Sequence, residues 1–408
     1  MLSKNYRLLI FLNKNHSWPM RFLISIAAFI FVFFTSFSVS LANYVRRKVM
    51  DNDFKLALRQ LHWFASRSYL QLNVIADHFF DFTEGMRYSE LESTLRFLKR
   101  YKKRNSPFIY TTDQLYILAR MAHKKLAAKD QTGFLNLYER YQYAANDALA
   151  AYTDLHFEKN IKKLKAETNQ FSQNDAREAL TDFYQLVPHD ELPSYIISGT
   201  FLGVIREGGW LAHDYDIDLG IHSENYNSGR LQSLLAQSDH FVTRKTDHQI
   251  RIIRDEDDLF QLERLPTLVK LVHKNGINID VFIHYLEDDI RWHGSVIHRW
   301  DNHDFALTTY NLDGVNVLGA VEADRYLSEN YGNWRVPVTD FNCTTGTPNL
   351  SVVKNLFSVA LFIKRAGFAK MSGDAADAQK IISQLQISGA LTISASPDEP
   401  MHFKADFI

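Results

Sequence analysis

The chain has 408 residues, 46% of them apolar and 13% aromatic, with a formal net charge of −1. That length and apolar content exclude a disordered chain and allow two domains, or one large domain with an added region. Near-neutral charge excludes a global electrostatic case for nucleic acid, and the single cysteine, Cys343, excludes an internal disulfide framework and a cysteine-based zinc finger.

After an N-terminal tail (1–21), Phe22 to Val45 runs for 24 residues without a charge. As one helix it would reach roughly 36 Å, enough to cross a ~30 Å hydrocarbon layer. Residues 22–45 are therefore expected to be a retained single-pass transmembrane anchor. Ser40-Leu41-Ala42 resembles a signal-peptide cleavage site, but the region ahead of it is long and the apolar stretch exceeds a usual signal core. Lys4, Arg7, Lys14 and Arg21 precede the stretch, and Arg46, Arg47, Lys48 and Lys55 follow it. That balance gives no orientation.

Residues 46–170 repeat apolar positions at three- and four-residue intervals, which predicts a helical membrane-proximal region. The stretch "KKRNSPFIYTTDQ" interrupts it, with Ser106-Pro107 as a stop and Thr112-Asp113 as the next N-cap. The basic run Lys99 to Arg104 reads first as a solvated helix end, and otherwise as a patch for anionic lipid headgroups or an anionic acceptor. From 171 to 370 helices alternate with the short apolar strands "SYIISG", "IDLGIH" and "INIDVFIHYL", which predicts a compact α+β or α/β domain. Residues 371–408 read as a C-terminal tail.

The chemistry concentrates in "SGTFLGVIREGGWLAHDYDIDLGI", Ser198 to Ile221. Alternate residues of a strand share a face, so Asp216 and Asp218 project together, away from Ile217 and Leu219. Two carboxylates at that separation repel unless water or a cation neutralises them, and they suit a hard divalent cation such as Mg²⁺ or Mn²⁺. Upstream, Gly199-Thr200 opens a short helix, a place where free backbone N–H groups face an anion. Downstream, Asp280 is the one charge in the apolar strand "INIDVFIH", and such a carboxylate is costly to bury unless paired or metal-bound. Three carboxylates around two cations beside a phosphate-binding turn suit an in-line phosphoryl displacement.

This order resembles the nucleotidyltransferase-fold superfamily, and its wording resembles one branch, the LicD/fukutin family. The family pattern is met by Gly199, Thr200, Leu202, Gly203, Arg206, Gly208, Gly209, Leu211, Asp214, Asp216, Ile217 and Asp218. It continues with Ile279-Asp280-Val281-Phe282, Tyr326-Leu327, Tyr331-Gly332, Trp334 and Pro337, so that it covers about residues 175 to 340. His213 and Tyr215 depart from the usual residues, and the helical region before residue 170 has no counterpart in the resemblance.

The resemblance implies an α+β, nucleotidyltransferase-like mixed sheet flanked by helices, preceded by the transmembrane helix and helical region. It implies transfer of a phosphorylated alcohol, phosphocholine- or polyol-phosphate-like, from a CDP-activated donor to a hydroxyl of a glycan, glycolipid or glycoprotein. In a bacterium that acceptor would be lipopolysaccharide or capsule. Asp216, Asp218 and Asp280 would hold two Mg²⁺ or Mn²⁺ ions, and Asp280 would also receive the acceptor proton. Gly199 and Thr200 would bind donor phosphate, Arg206 would stabilise developing charge or pair with Glu207, and Asp214 would orient the loop behind the ligands. A bacterial source places the catalytic domain in the cytoplasm at the inner membrane, and a eukaryotic one places it in the Golgi as a type II protein. The alternatives are a nucleotidyltransferase that leaves NMP on its acceptor, and a non-catalytic membrane scaffold of glycan assembly. His293, His298 and His303 share neither a helix face nor a strand face, which argues against a zinc site. Trp334 and Tyr331 could stack on a base or sugar, or simply pack in the core.

Overall fold

The computed structural model describes residues 14–68, 83, 85–102, 106–157, 172–212, 216–338, 341, 346–392, 401–404 and 406–408. In chain order they form α1 (Trp18–Ser36), α2 (Val39–Met50), α3 (Phe54–Ser68), α4 (Tyr88–Tyr101), α5 (Pro107–Ala127), α6 (Gln131–Thr153) and α7 (Gln173–Leu186). There follow β1 (Ser194–Ile196), α8 (Ser198–Glu207), β2 (Asp216–His222), α9 (Ser228–Ala236), β3 (Phe241–Arg254), β4 (Phe260–His273), β5 (Asn278–Glu287) and β6 (Ile290–Gly294). Next come β7 (Arg299–His303), β8 (Leu307–Leu312), β9 (Val315–Ala320), α10 (Ala323–Tyr331), β10 (Leu350–Ser351), α11 (Leu356–Met371) and α12 (Ala375–Ile387). A short pair, β11 (Leu391–Thr392) and β12 (His402–Phe403), ends the chain. The class is α+β, a mixed sheet flanked by helices after a helical N-terminal region. One described helix, α1, is long and apolar enough to cross a membrane.

The chain divides into two compact units, residues 1–163, 252–262 and 354–408 in the first, and 164–251 and 263–353 in the second. The segment from Lys354 onward, expected to close the catalytic domain and trail off as a tail, thus groups with the helical unit and contains α11 and α12.

In the first unit the apolar run 22–45 is two helices rather than the single one expected. Phe37 adopts a left-handed conformation (φ 49°), and Ser38 accepts a hydrogen bond from the Leu41 N–H as the N-cap of α2. The hydroxyls just before the break turn inward, Thr35 donating to the Phe31 carbonyl and Ser36 to that of Val32. Such hydroxyls compete with the helical ladder and favour a stop followed by a new cap.

The second boundary also differs. Pro107 starts α5 directly after Ser106, where its missing N–H costs nothing. Thr112 is therefore inside the helix, its hydroxyl donating to the Phe108 carbonyl. Asp113 is no cap either. It lies fully buried between Arg67 of α3, at 2.6 Å, and Lys364 of α11, at 2.7 Å. Burial alone would raise its carboxyl pKa, but the two cations outweigh it and hold the group below the usual carboxylate range.

The sheet of the second unit runs β10-β7-β6-β5-β2-β1-β9-β8, with β4 on β5 and β3 on β4. β2 and β5 are parallel, as are β1 and β9, and the other pairings with recorded register are antiparallel. The first half of β5 lies between β2 and β4, and its last residues pair with β6. One face of the β2–β5 pair is fully buried through Ile217, Leu219, Ile221, Ile279, Val281 and Ile283. Of these, all but Ile283 share a core cluster with Ala176, Leu180 and Phe183 of α7. On the other face Gly220 leaves room for aromatic rings: a Cβ there would lie 2.6 Å from the Tyr195 ring and 2.7 Å from that of His284.

Two outcomes are expected. Gly220→Ala overpacks the sheet and lowers unfolding free energy by about 1–3 kcal/mol, measured by denaturant titration. Lys364→Met leaves Asp113 half-paired in the core and costs about 3–5 kcal/mol. Because the folded-state pKa of Asp113 is depressed, its contribution is present at neutral pH and fades as pH falls below about 4 towards the folded value. The acid-side slope of stability is accordingly shallower in Lys364→Met than in the wild type.

Candidate active site

The register of β2 on β5 places Asp218 directly beside Asp280, with Asp216 beside Asn278. Side chains at matched positions of a parallel pair share a face, so all three carboxylates emerge together opposite the buried isoleucines. Asp216, Asp218 and Asp280 each offer one oxygen, and the three lie within 4.8 Å of one another. Asp280 is 5% exposed, while Asp216 and Asp218 are half-buried. Convergent carboxylate oxygens are the donor set of a hard divalent cation, and these three residues could hold one.

A fourth residue joins them. Lys270 of β4 sits opposite Asp280 in the antiparallel register, and its ammonium contacts the Asp280 carboxylate. Sequence reasoning passed over Lys270, although a lone lysine in the apolar strand "PTLVKLVH" is the mirror of a lone aspartate in "INIDVFIH".

The start of α8 is tied to the same strand. The Thr200 hydroxyl, buried, accepts a hydrogen bond from the Asp218 N–H at 3.0 Å, and the Ile197 N–H donates to the Asp218 carbonyl at 3.1 Å. Thr200 therefore fixes the helix start to Asp218 through its oxygen. Ser198 stands at φ 47°, an uncommon conformation for a non-glycine residue, immediately before half-buried Gly199. The residue before α8, Ile197, has no side chain able to cap it, and the first N–H groups of a helix have no acceptor within it. Gly203 allows the chain to fold back under this helix, since a Cβ would come within 2.5 Å of the Gly209 carbonyl oxygen. Gly208 ends the helix in the left-handed region.

Arg206 is engaged at the other end of α8. Its Nε donates to Glu207 at 2.8 Å and its NH1 to the Trp334 carbonyl at 3.1 Å, so it anchors the helix end. Asp214 lies outside the described residues. Trp334 is 8% exposed and donates through Nε1 to Asp324, and Tyr331 packs on Phe341 at 5.0 Å, so both are occupied in packing. Tyr326 of α10 is a further residue the sequence did not single out for the site. Burial, and then the negative charge of Asp218, raise its phenol pKa, which places that ring near the carboxylates. It packs against Phe201 of α8 and Phe305.

Further along the same face the side chains become neutral. His222 and His284 are register partners, and His293 stacks 4.5 Å from His284. Burial, then the charge of Arg291, brings His222 down to about 4, and burial brings His293 to about 3. At neutral pH these rings are uncharged, and the Arg291 guanidinium beside them is paired with Glu224 and Asp304. His298 is buried against Trp300, while His303 is exposed and bonded to Glu329, so His293, His298 and His303 form no common metal group among the described residues.

A second cluster, also unread in the sequence, joins Asp182 of α7 to His240 and His273, at 2.7 and 3.0 Å. The Asn275 N–H donates to His273 Nδ1, which leaves the proton on Nε2 facing Asp182, and Lys274 donates to His240 Nε2. A histidine ligand normally gives its second N–H to an acceptor, and here the second nitrogen of His273 meets a donor. The cluster is a hydrogen-bonded tie between α7 and the end of β4.

Residues 191–319 match the family described as LicD/FKTN/FKRP, nucleotidyltransferase domain. The chain is 26% identical over 167 residues to ribitol-5-phosphate transferase FKTN of Mus musculus and 27% identical to that of Homo sapiens, in each case over 39% of this chain and 33% of the relative. It is 26% identical to an uncharacterised protein of Caenorhabditis elegans, over 40% of this chain and 38% of that one. The match thus spans about a third of the length of these curated relatives. It includes the β2 and β5 carboxylates and the start of α8, and over that domain the chain is similar to the LicD/fukutin family.

Proposed function

We propose that this chain is a metal-dependent phosphotransferase that moves a phosphorylated alcohol from a CDP-activated donor to a hydroxyl of a glycan, glycolipid or glycoprotein at a membrane. The observation that carries the reading is the convergence of Asp216, Asp218 and Asp280 beside the start of α8, which Thr200 ties to Asp218. The similarity to ribitol-5-phosphate transferases supports a polyol phosphate as the transferred group.

In the proposed reaction the acceptor oxygen bonds to the phosphorus that carries the alcohol, the bridging P–O bond of the diphosphate breaks, and CMP leaves. Asp216 and Asp218 hold the cation side of the site. Asp280 completes it and is placed to receive the acceptor proton. Bound there, Mg²⁺ or Mn²⁺ would neutralise the diphosphate and the developing charge. Lys270 orients Asp280 through its ammonium, and the N–H groups at Gly199 receive a donor phosphate oxygen. Thr200 keeps that helix start in register with Asp218, so donor phosphate and carboxylates stay at a fixed separation. Arg206 acts indirectly by holding the far end of α8.

The test is CMP release by the full chain in detergent with a panel of CDP-alcohols, with and without Mg²⁺ or Mn²⁺. Release that requires the metal is expected, and chelation should abolish it. Asp216→Asn, Asp218→Asn and Asp280→Asn should each lower the rate at least ~100-fold, since losing a ligand exceeds the 10- to 100-fold typical of its supporting residues. Pyrophosphate release from nucleoside triphosphates instead of CMP would move the assignment to nucleotidyl transfer. Undiminished glycan modification in a strain carrying Asp216→Asn with Asp218→Asn would leave only a scaffold role.

A further inference from the structure

We infer that α1 and α2 form a hairpin that lies on an anionic membrane surface, with the outer face of α1 embedded in the interface and neither helix crossing the bilayer. The first observation is that α1 is turned inside out. Phe22, Ile26, Ile30 and Phe34 recur every four residues, with Leu23 beside them, and all five are 39–67% exposed. The opposite side of the helix, Ser25, Ala28, Val32, Thr35 and Ser36, is buried. A helix of a water-soluble unit turns its large apolar residues inward, so this face is built for an apolar medium.

The second observation is what covers the inner side. α2 runs back along α1, since the Arg21 guanidinium at the start of α1 donates to the Met50 carbonyl at the end of α2. At the turn, Arg100 of α4 donates to the Ser36 carbonyl and lies over the Phe37 ring, and Tyr101 donates to the Thr35 carbonyl. Arg47 of α2 pairs with Glu90 of α4. α4 is thus tied to both ends of the hairpin, so a bilayer-crossing α1 would draw Glu92, Arg96 and Lys99 of α4 through the membrane with it, and intramembrane charges are strongly disfavoured. A helix lying flat needs lipid on one face only.

The third observation selects the kind of surface. Residues 1–50 carry seven lysines and arginines and no aspartate or glutamate. Arg46, Arg47, Lys99 and Arg100 are exposed. Trp18, 58% exposed and stacked on Phe22, opens the apolar face, as tryptophan does at headgroup level. Basic charge beside an apolar strip complements anionic phospholipid. A surface-lying hairpin also accounts for the even charge on either side of the apolar run, which a crossing helix would use for orientation.

The test uses the full chain with Cys343→Ser and single cysteines introduced as Ser17→Cys, Ser38→Cys or Asp51→Cys. In sealed membrane vesicles an impermeant maleimide should reach all three from the same side. Labelling of Ser17→Cys and Asp51→Cys from opposite sides, or of Ser38→Cys from the side opposite to both, overturns the inference. So does recovery of chains that begin after Ala42, which would mark α1 as a cleaved leader. In flotation, the purified full chain should bind phosphatidylcholine vesicles containing phosphatidylglycerol at least about tenfold better than phosphatidylcholine alone. The double variant Leu23→Glu with Phe34→Glu should lose that binding while keeping its unfolding midpoint. A discrete dimer that fails to float and that this variant dissociates assigns the face to a second copy of the chain and overturns the proposal. The vesicle comparison on the unmodified chain stands whether or not the variant folds.

Discussion

The parallel pairing of β2 with β5 is the constraint on which the site depends. It sets Asp218 beside Asp280, and the buried row of Ile217, Leu219, Ile279 and Val281 on the reverse face holds that register. A slip of one residue would exchange the faces and bury the carboxylates among the isoleucines, so the apolar packing protects the polar arrangement. Thr200 then carries the register into the next element, because its hydroxyl binds the N–H of the same residue, Asp218, whose side chain faces the site. Gly220, two residues on, keeps the face flat enough for Tyr195 and His284.

Two carboxylates in this chain meet burial in opposite ways. Asp113 is enclosed by Arg67 and Lys364, with the indole of Trp63 on the same oxygen as Arg67, and its charge is neutralised from within. That arrangement ties α3, α5 and α11 together and leaves nothing for a ligand. Asp280 has Lys270 on one side and two further carboxylates on the other, so its oxygens belong to a convergent group of like charges of the kind a hard cation binds. The same residue type is a structural tie in one unit and the centre of the candidate site in the other, and the two carboxylates that converge on Asp280 distinguish the second case.

The first unit shows a related division at α1, where small and hydroxyl residues pack inward and aromatic residues face out. Apolar surface stabilises a fold by leaving water, and a face this apolar must be covered by something. The charged groups of α2 and α4 held against the other side decide how deeply that covering can reach.

Much of the second unit was legible in the sequence because strand periodicity is local: alternation alone puts Asp216 and Asp218 on one face, and an isolated charge marks Asp280. The spacing of glycines and aspartates also carried the family, since a turn, a close approach and a ligand pair each demand particular residues at short range. What tertiary structure decided was every partner chosen across distance. Lys270, Tyr326 and the Asp182 cluster are brought together by separate strands and helices, and although Lys270 is a lone charge and Tyr326 belongs to the family pattern, nothing local says what they meet. Asp113 looked like a cap because its neighbours in sequence allow one, and it became a core ion because Lys364 arrives from 251 residues further on. The stretch 22–45 read as one span because hydropathy sums composition over a window, whereas the break at Phe37 and the basic residues packed against its end depend on geometry that composition does not contain.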